Sequence, residues 1–130
     1  MFTKENILDI GSESGATADY PSRVERLKQI GVHQYIHNLF KGSTTYFSKD
    51  GGLIEIEDAE KSLSINGISS IDHLKQALKL HKRGETDFET FCQQMAISGV
   101  ASWLVDLEEM EIYYKDNMDD VLLEDKIDNR

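Results

Sequence analysis

The chain carries one pattern of sequence signals twice. Asp19 to Leu39 (DYPSRVERLKQIGVHQYIHNL) lies over Asp87 to Leu107 (DFETFCQQMAISGVASWLVDL) at a constant offset of 68. Asp19/Asp87, Gly31/Gly99, Val32/Val100 and Leu39/Leu107 are identical, while Tyr20/Phe88, Leu27/Met95, Tyr35/Trp103, Ile36/Leu104 and Asn38/Asp106 keep size and polarity. Four identities in 21 positions compare with roughly one expected from ordinary residue frequencies. The order of signals constrains the fold further: helix start, apolar stripe, Gly-Val, aromatic, acid or amide, leucine. A chain of 130 residues built this way folds as two like-shaped halves sharing hydrophobic burial. The repeat says how the chain packs and names no reaction.

Each half reads as helix, helix and three-stranded meander, giving an α+β fold of two tandem units packed as one compact, pseudo-symmetric domain. The first unit spans about 3–57, a connector 58–70, the second unit about 71–124, and a frayed acidic tail 125–130. A short helix is expected over 3–13 and a firmer one over 20–30, where Pro21 fits the first turn and Ser22 with Glu25 forms a reciprocal cap. Gly31 ends that helix. Strands are expected at Val32–Leu39, Thr44–Phe47 and Leu53–Glu57. In the second unit Ile71, Leu74, Leu78 and His81 share one helical arc that stops at Gly84. Thr86-Asp87-Phe88-Glu89 is a capping-box pattern, and Phe88, Phe91, Cys92, Met95, Ala96 and Gly99 follow a buried helix face. Strands follow at about 101–107, 111–115 and 120–124.

Strand alternation places Ala101, Trp103, Val105 and Leu107 on the core face, with His33, Tyr35, His37 and Leu39 as their counterparts. On the return strands, Thr45 and Phe47 are set against Ile112 and Tyr114 at an offset of 67, which makes the first turn one residue longer. Whether the two meanders join edge to edge or pack as separate sheets is left open.

The formal charge is −10, and residues 101–130 hold ten acids against three bases. Binding to phosphate gains affinity from clustered Lys and Arg, and no cluster is evident, so neither direct nucleic-acid binding nor an anionic membrane is expected. Cys92 is the one cysteine, which rules out an intrachain disulfide. With no signal-peptide core at the N-terminus and no apolar span, a cytoplasmic protein is expected.

Reactive groups are few. Four residues of strand hold His33 and His37 about 13 Å apart, too far for one ion, so no metal or other cofactor is expected. Cys92 lies on an apolar stripe, where packing is the ordinary role; His81 can approach it through the Gly84 turn as a Cys–His pair. One member of each pair Tyr46/Phe47 and Tyr113/Tyr114 faces outward, available to a ligand or as an anchor for a partner. The candidate contact residues are therefore His37, Tyr46, His81, Cys92 and Tyr113, with no catalytic residue among them.

The segment His81-Lys-Arg-Gly-Glu-Thr-Asp-Phe-Glu-Thr-Phe-Cys92, with Gly99-Val100, Trp103, Val105-Asp106-Leu107 and Tyr113-Tyr114, resembles the YbcV/YdfO-like family of small uncharacterised bacterial and prophage proteins, some of them labelled phage envelope proteins. Gly31-Val32, Tyr35, Thr44-Thr45-Tyr46-Phe47 and Asp50-Gly51 extend the likeness over most of 19–116. The resemblance implies a compact α+β domain of mobile-element origin and carries over no catalytic residue.

Three functions compete at this point. The favoured one is a non-enzymatic interaction module with an unknown protein partner. The second is a small-molecule binder or enzyme with a pocket where the halves meet. The third is an acidic decoy for a DNA-binding protein, which needs the carboxylates of 106–128 in one continuous stripe.

Overall fold

The computed structural model describes residues 2–10, 20–57 and 62–127, with Tyr20 and Pro21 described by backbone alone. The elements in chain order are α1 (Lys4–Ile10), α2 (Tyr20–Gln29), β1 (Val32–Asn38), β2 (Ser43–Ser48), β3 (Leu53–Glu57), α3 (Ile71–Lys82), α4 (Phe88–Ile97), β4 (Ser102–Asp106), β5 (Glu111–Lys115) and β6 (Val121–Lys126). The helix, helix, three-strand order therefore occurs twice. The strands form one antiparallel sheet in the order β3-β2-β1-β4-β5-β6, so the meanders join edge to edge through β1 and β4.

The central register pairs Ile36 with Leu104, two residues 68 apart. Beside this pair, the Leu39 amide donates to the Ala101 carbonyl at 2.9 Å and the Leu107 amide donates to the His33 carbonyl at 3.1 Å. Asn38 Oδ1 accepts from the Lys41 amide as Asp106 Oδ1 accepts from the Glu109 amide, at 2.9 and 3.0 Å. Positive φ falls at Gly31 and Gly99, at Gly42 and Met110, and at Gly51 and Asp119, each pair again 68 apart.

One face of the sheet is dry. Tyr35, His37, Thr44, Tyr46, Trp103, Val105, Ile112 and Tyr114 are buried there, beneath Val24 and Leu27 of α2 and Phe91, Cys92 and Met95 of α4. Helix α3 packs on α4, with His81 stacked on Phe91 at 4.1 Å. The opposite face carries half-buried Ile36, Phe47, Leu104 and Tyr113 among Gln34, Asn38, Thr45 and Ser102. This is a two-layer α+β arrangement, which buries one sheet face under amphipathic helices and leaves the other uncovered by them.

Several expectations need correction. The pairings Tyr35–Tyr46 and Trp103–Tyr114 show that Tyr46 and Thr44, not Phe47 and Thr45, face the core. Tyr46 and Tyr114 are 68 apart, so the first turn is not longer. The error arose because Thr44 is polar yet buried, where it meets the imidazole of His37. The slip comes later, at an irregularity between Tyr114 and Lys115 in the β5–β6 pairing.

A second irregularity, between Val32 and Gln34, sends Val32 into the core and leaves His33 half-buried. Ser22 lies inside α2, not at its cap. The N-cap of α4 is Asp87, whose carboxylate accepts from the Thr90 amide at 2.7 Å, while Thr86 turns to His81 instead. Leu74, Leu78 and His81 are buried as expected, but Ile71, the first residue of α3, is 44% exposed. The first helix ends at Ile10, and expectations for 11–13 and for the tail from 128 lie outside the described residues.

Candidate functional site

Strand β1 puts His37 on the dry face, directly opposite Thr44 of β2 and Trp103 of β4. His37 Nδ1 lies 2.8 Å from Thr44 Oγ1, and its Nε2 lies 4.0 Å from Cys92 Sγ of α4. Trp103 stacks on the imidazole at 4.7 Å between centroids, and Phe88 meets it edge-on at 5.3 Å. A neutral imidazole has one N–H and one lone pair, so the ring serves the hydroxyl with one nitrogen and the thiol with the other. Burial, helped by the charge of Arg23, lowers the His37 pKa to about 4.

A Cys–His pair thus exists, formed by His37 where the sequence suggested His81. Its environment argues for packing. Cys92 is 0% exposed and His37 5%, so a substrate has no approach, and the ring stays neutral at neutral pH. A reactive thiolate requires access and a nearby positive charge. His81 sits elsewhere, with Nδ1 3.1 Å from Thr86 Oγ1, where it fastens the α3–α4 turn; desolvation lowers its pKa.

The other candidates separate too. Tyr46 is buried, and its hydroxyl accepts from Arg23 Nη2 at 3.3 Å. Tyr113 lies on the uncovered face and donates to Glu111 at 2.5 Å, which pushes its pKa up to about 12. His37 and Cys92 are together; Tyr46, His81 and Tyr113 do not join them in one concave site. Among the described residues no group of three or more His, Cys, Asp or Glu is placed to hold a metal ion.

The two ends of the sheet differ sharply. At the end where β1 starts, a cleft of about 380 Å³ is lined by residues of both units, including Lys28, Ile30, His33, Lys49, Leu107 and Glu108. Glu108 is ion-paired with Lys49, and His33 Nδ1 lies 3.4 Å away. That pairing with Lys49 is the main reason the Glu108 carboxyl titrates below its usual range.

At the other end, exposed apolar side chains gather. Eight large hydrophobics are well exposed among the described residues, and six of them, Phe40, Ile68, Ile71, Ile97, Met118 and Val121, sit at this end. The backbone ties them together: Leu39 bonds to Ala101, Ala101 to Lys115, Ser70 to Ser98 and Asn66 to Ala96, each at 2.8–3.0 Å. Sequence reasoning missed this site, because its members come from two turns, the connector, two helix ends and the start of a strand, scattered along the chain.

The family model described as "Protein of unknown function (DUF1398)" matches residues 11–126. The chain belongs to the DUF1398 family. No curated protein matches it. The DUF1398 match covers both three-stranded meanders and the connector between them, and so includes both ends of the sheet. No described helix is long and apolar enough to cross a membrane.

Proposed function

We propose that this chain is a non-enzymatic protein-interaction module that docks a partner polypeptide on the apolar end of its sheet. The observation that carries the reading is the contrast between positions 68 apart. Phe40, Ile97 and Met118 at the apolar end correspond to Glu108, Gln29 and Asp50 at the cleft end, all of them exposed. The backbone is alike at both places: the Ser48 amide donates to Gly52 O at 2.9 Å and the Asp116 amide to Asp120 O at 3.0 Å. At these three positions the same local structure therefore tolerates polar residues, and exposing Phe40, Ile97 and Met118 is not a demand of the fold. Exposed apolar side chains concentrated at one end of a fold in this way mark interaction sites.

Affinity purification tests it. The Ile68→Ser/Ile97→Ser double variant is expected to lose proteins that wild type and Leu53→Ser retain; Leu53 is 57% exposed at the opposite end and Ile97 59%. Retention of the same partners by all three proteins overturns the reading.

The cleft supports a second reading as a small-molecule site, since both units line it and its volume falls within the usual range for ligand pockets. A fragment screen by NMR that shifts Leu107 and Val32 resonances would favour it. The acidic-decoy reading is weaker. Asp106, Glu111 and Glu124 lie on the uncovered face, Asp125 pairs with Lys82 at 2.7 Å toward α3, and Glu108 and Asp119 stand at opposite ends. A cytoplasmic location, descent of the two halves from one duplicated unit, and membership of the YbcV/YdfO-like prophage group belong to the same proposal. The paired bonds and paired positive-φ positions support the duplication.

A further inference from the structure

We infer that the segment seated on the apolar end is positively charged and carries apolar side chains of its own; this rests on the interaction reading above and names the partner's chemistry. The apolar residues are presented on ordered backbone. Asn66 donates from its amide to Ala96 O and from Nδ2 to Ile97 O, both at 3.0 Å, and its Oδ1 accepts from the Ile68 amide at 3.1 Å. Ser70 adds a bond to Ser98 O at 2.9 Å. Gly99 lets this strap lie flat: a Cβ there would stand 2.7 Å from Ser69 Cα. Met118 is fixed in the same way, since Asp116 accepts from the Met118 and Asp120 amides at 2.9 Å each. Little ordering entropy is lost when a surface held like this binds, which favours association.

Charge then selects the occupant. Glu57, Asp72, Asp119 and Asp120 are exposed at the same end of the sheet as the apolar residues. Among the described residues, Lys41 and Lys115 at this end are held by Glu55 at 3.1 Å and by Asp119 at 3.5 Å, and Lys75 follows Asp72 by three residues on α3. With those two pairs set aside, and Lys75 set against Asp72, Glu57 and Asp120 are left in excess among the described residues. A nucleic acid or an anionic membrane would meet like charge here, and a second copy would bring its own −10. A basic amphipathic segment gains from both features, through burial of its apolar side chains and pairing of its charges.

The test uses the full chain and two labelled helical peptides of identical apolar pattern, one Leu/Lys and one Leu/Glu, followed by fluorescence anisotropy. Leu/Lys is expected to bind and Leu/Glu not, with affinity falling as salt rises from about 50 to 200 mM. Ile68→Ser/Ile97→Ser should weaken binding about tenfold or more. Asp119→Asn/Asp120→Asn should weaken it several-fold, while Asp9→Asn/Glu25→Gln, the same charge change on α1 and α2, leaves it within about twofold. Equal loss in the two charge variants means general attraction to an acidic chain and overturns the inference. So does sedimentation showing a dimer that Ile68→Ser/Ile97→Ser dissolves, which makes a second copy the occupant. If neither peptide binds but the serine variant still loses its cellular partners, the basic chemistry falls and the docking reading stands. If that variant keeps its partners, the docking reading itself falls.

Discussion

Acidification should destabilise this protein through one buried imidazole, and the size of the effect follows from its surroundings. His37 is 5% exposed, is stacked on Trp103, and has its pKa lowered from 6.5 to about 4. Between those values the unfolded chain binds a proton that the folded chain refuses. Stability is then full above the unfolded pKa and falls as pH drops from about 6.5 toward 4. The gap, at roughly 1.4 kcal/mol per pH unit, amounts to about 3 kcal/mol at the acid limit, a large share of the ~5–15 kcal/mol typical of a domain. Urea unfolding of wild type and His37→Gln at about pH 7.5, 6.0 and 5.0 measures it. Whatever the variant costs at neutral pH, its dependence on pH should be flatter by about 1 kcal/mol per unit near pH 5. His81, whose pKa is also lowered by burial, acts in the same direction in both proteins and cancels in the comparison. Parallel pH profiles would refute the reasoning, because they would mean that His37 is hydrated or protonated in the folded state.

Three further outcomes are expected. Gly99→Ala and Gly31→Ala both place alanine at positive φ, yet a Cβ at Gly31 meets nothing within 4 Å whereas one at Gly99 runs into Ser69; thermal unfolding should show about 1 kcal/mol lost at Gly31 and about 2–4 kcal/mol at Gly99. The Cys92 thiol, fully buried, should resist a water-soluble disulfide reagent in native protein and react once urea unfolds it; fast native labelling would contradict the sealed pair. Ultraviolet titration should find the Tyr113 phenol ionising near 12, and Glu111→Gln should return it toward 10, since the hydrogen bond to Glu111 is the largest cause of the rise.

The sequence carried the order of elements well, because each signal was local. Gly31 and Gly99 stopped their helices, alternation fixed the faces of β4 and of β1 from Tyr35 onward, and the 3.6-residue period exposed the buried side of α4. It failed where a polar residue belongs to the core. Thr44 looks like a surface residue until His37 is placed opposite it, and that single misjudgement displaced the faces of β2. The Cys92 partner was misassigned because nearness in sequence favoured His81, whereas the fold brings His37 from 55 residues away. The apolar end was invisible for a related reason. Phe40, Ile68, Ile97 and Met118 each look like an ordinary stray hydrophobic, and only the edge-to-edge join of the two meanders brings them to the same end of one sheet.

The claim that this end is a docking surface meets its most direct test in site-specific photo-crosslinking in native cells. A crosslinker placed at Ile97 is expected to trap a discrete adduct, and one at the equally exposed Leu53 to trap none. Matching adduct patterns at the two positions, or none at Ile97, would contradict it.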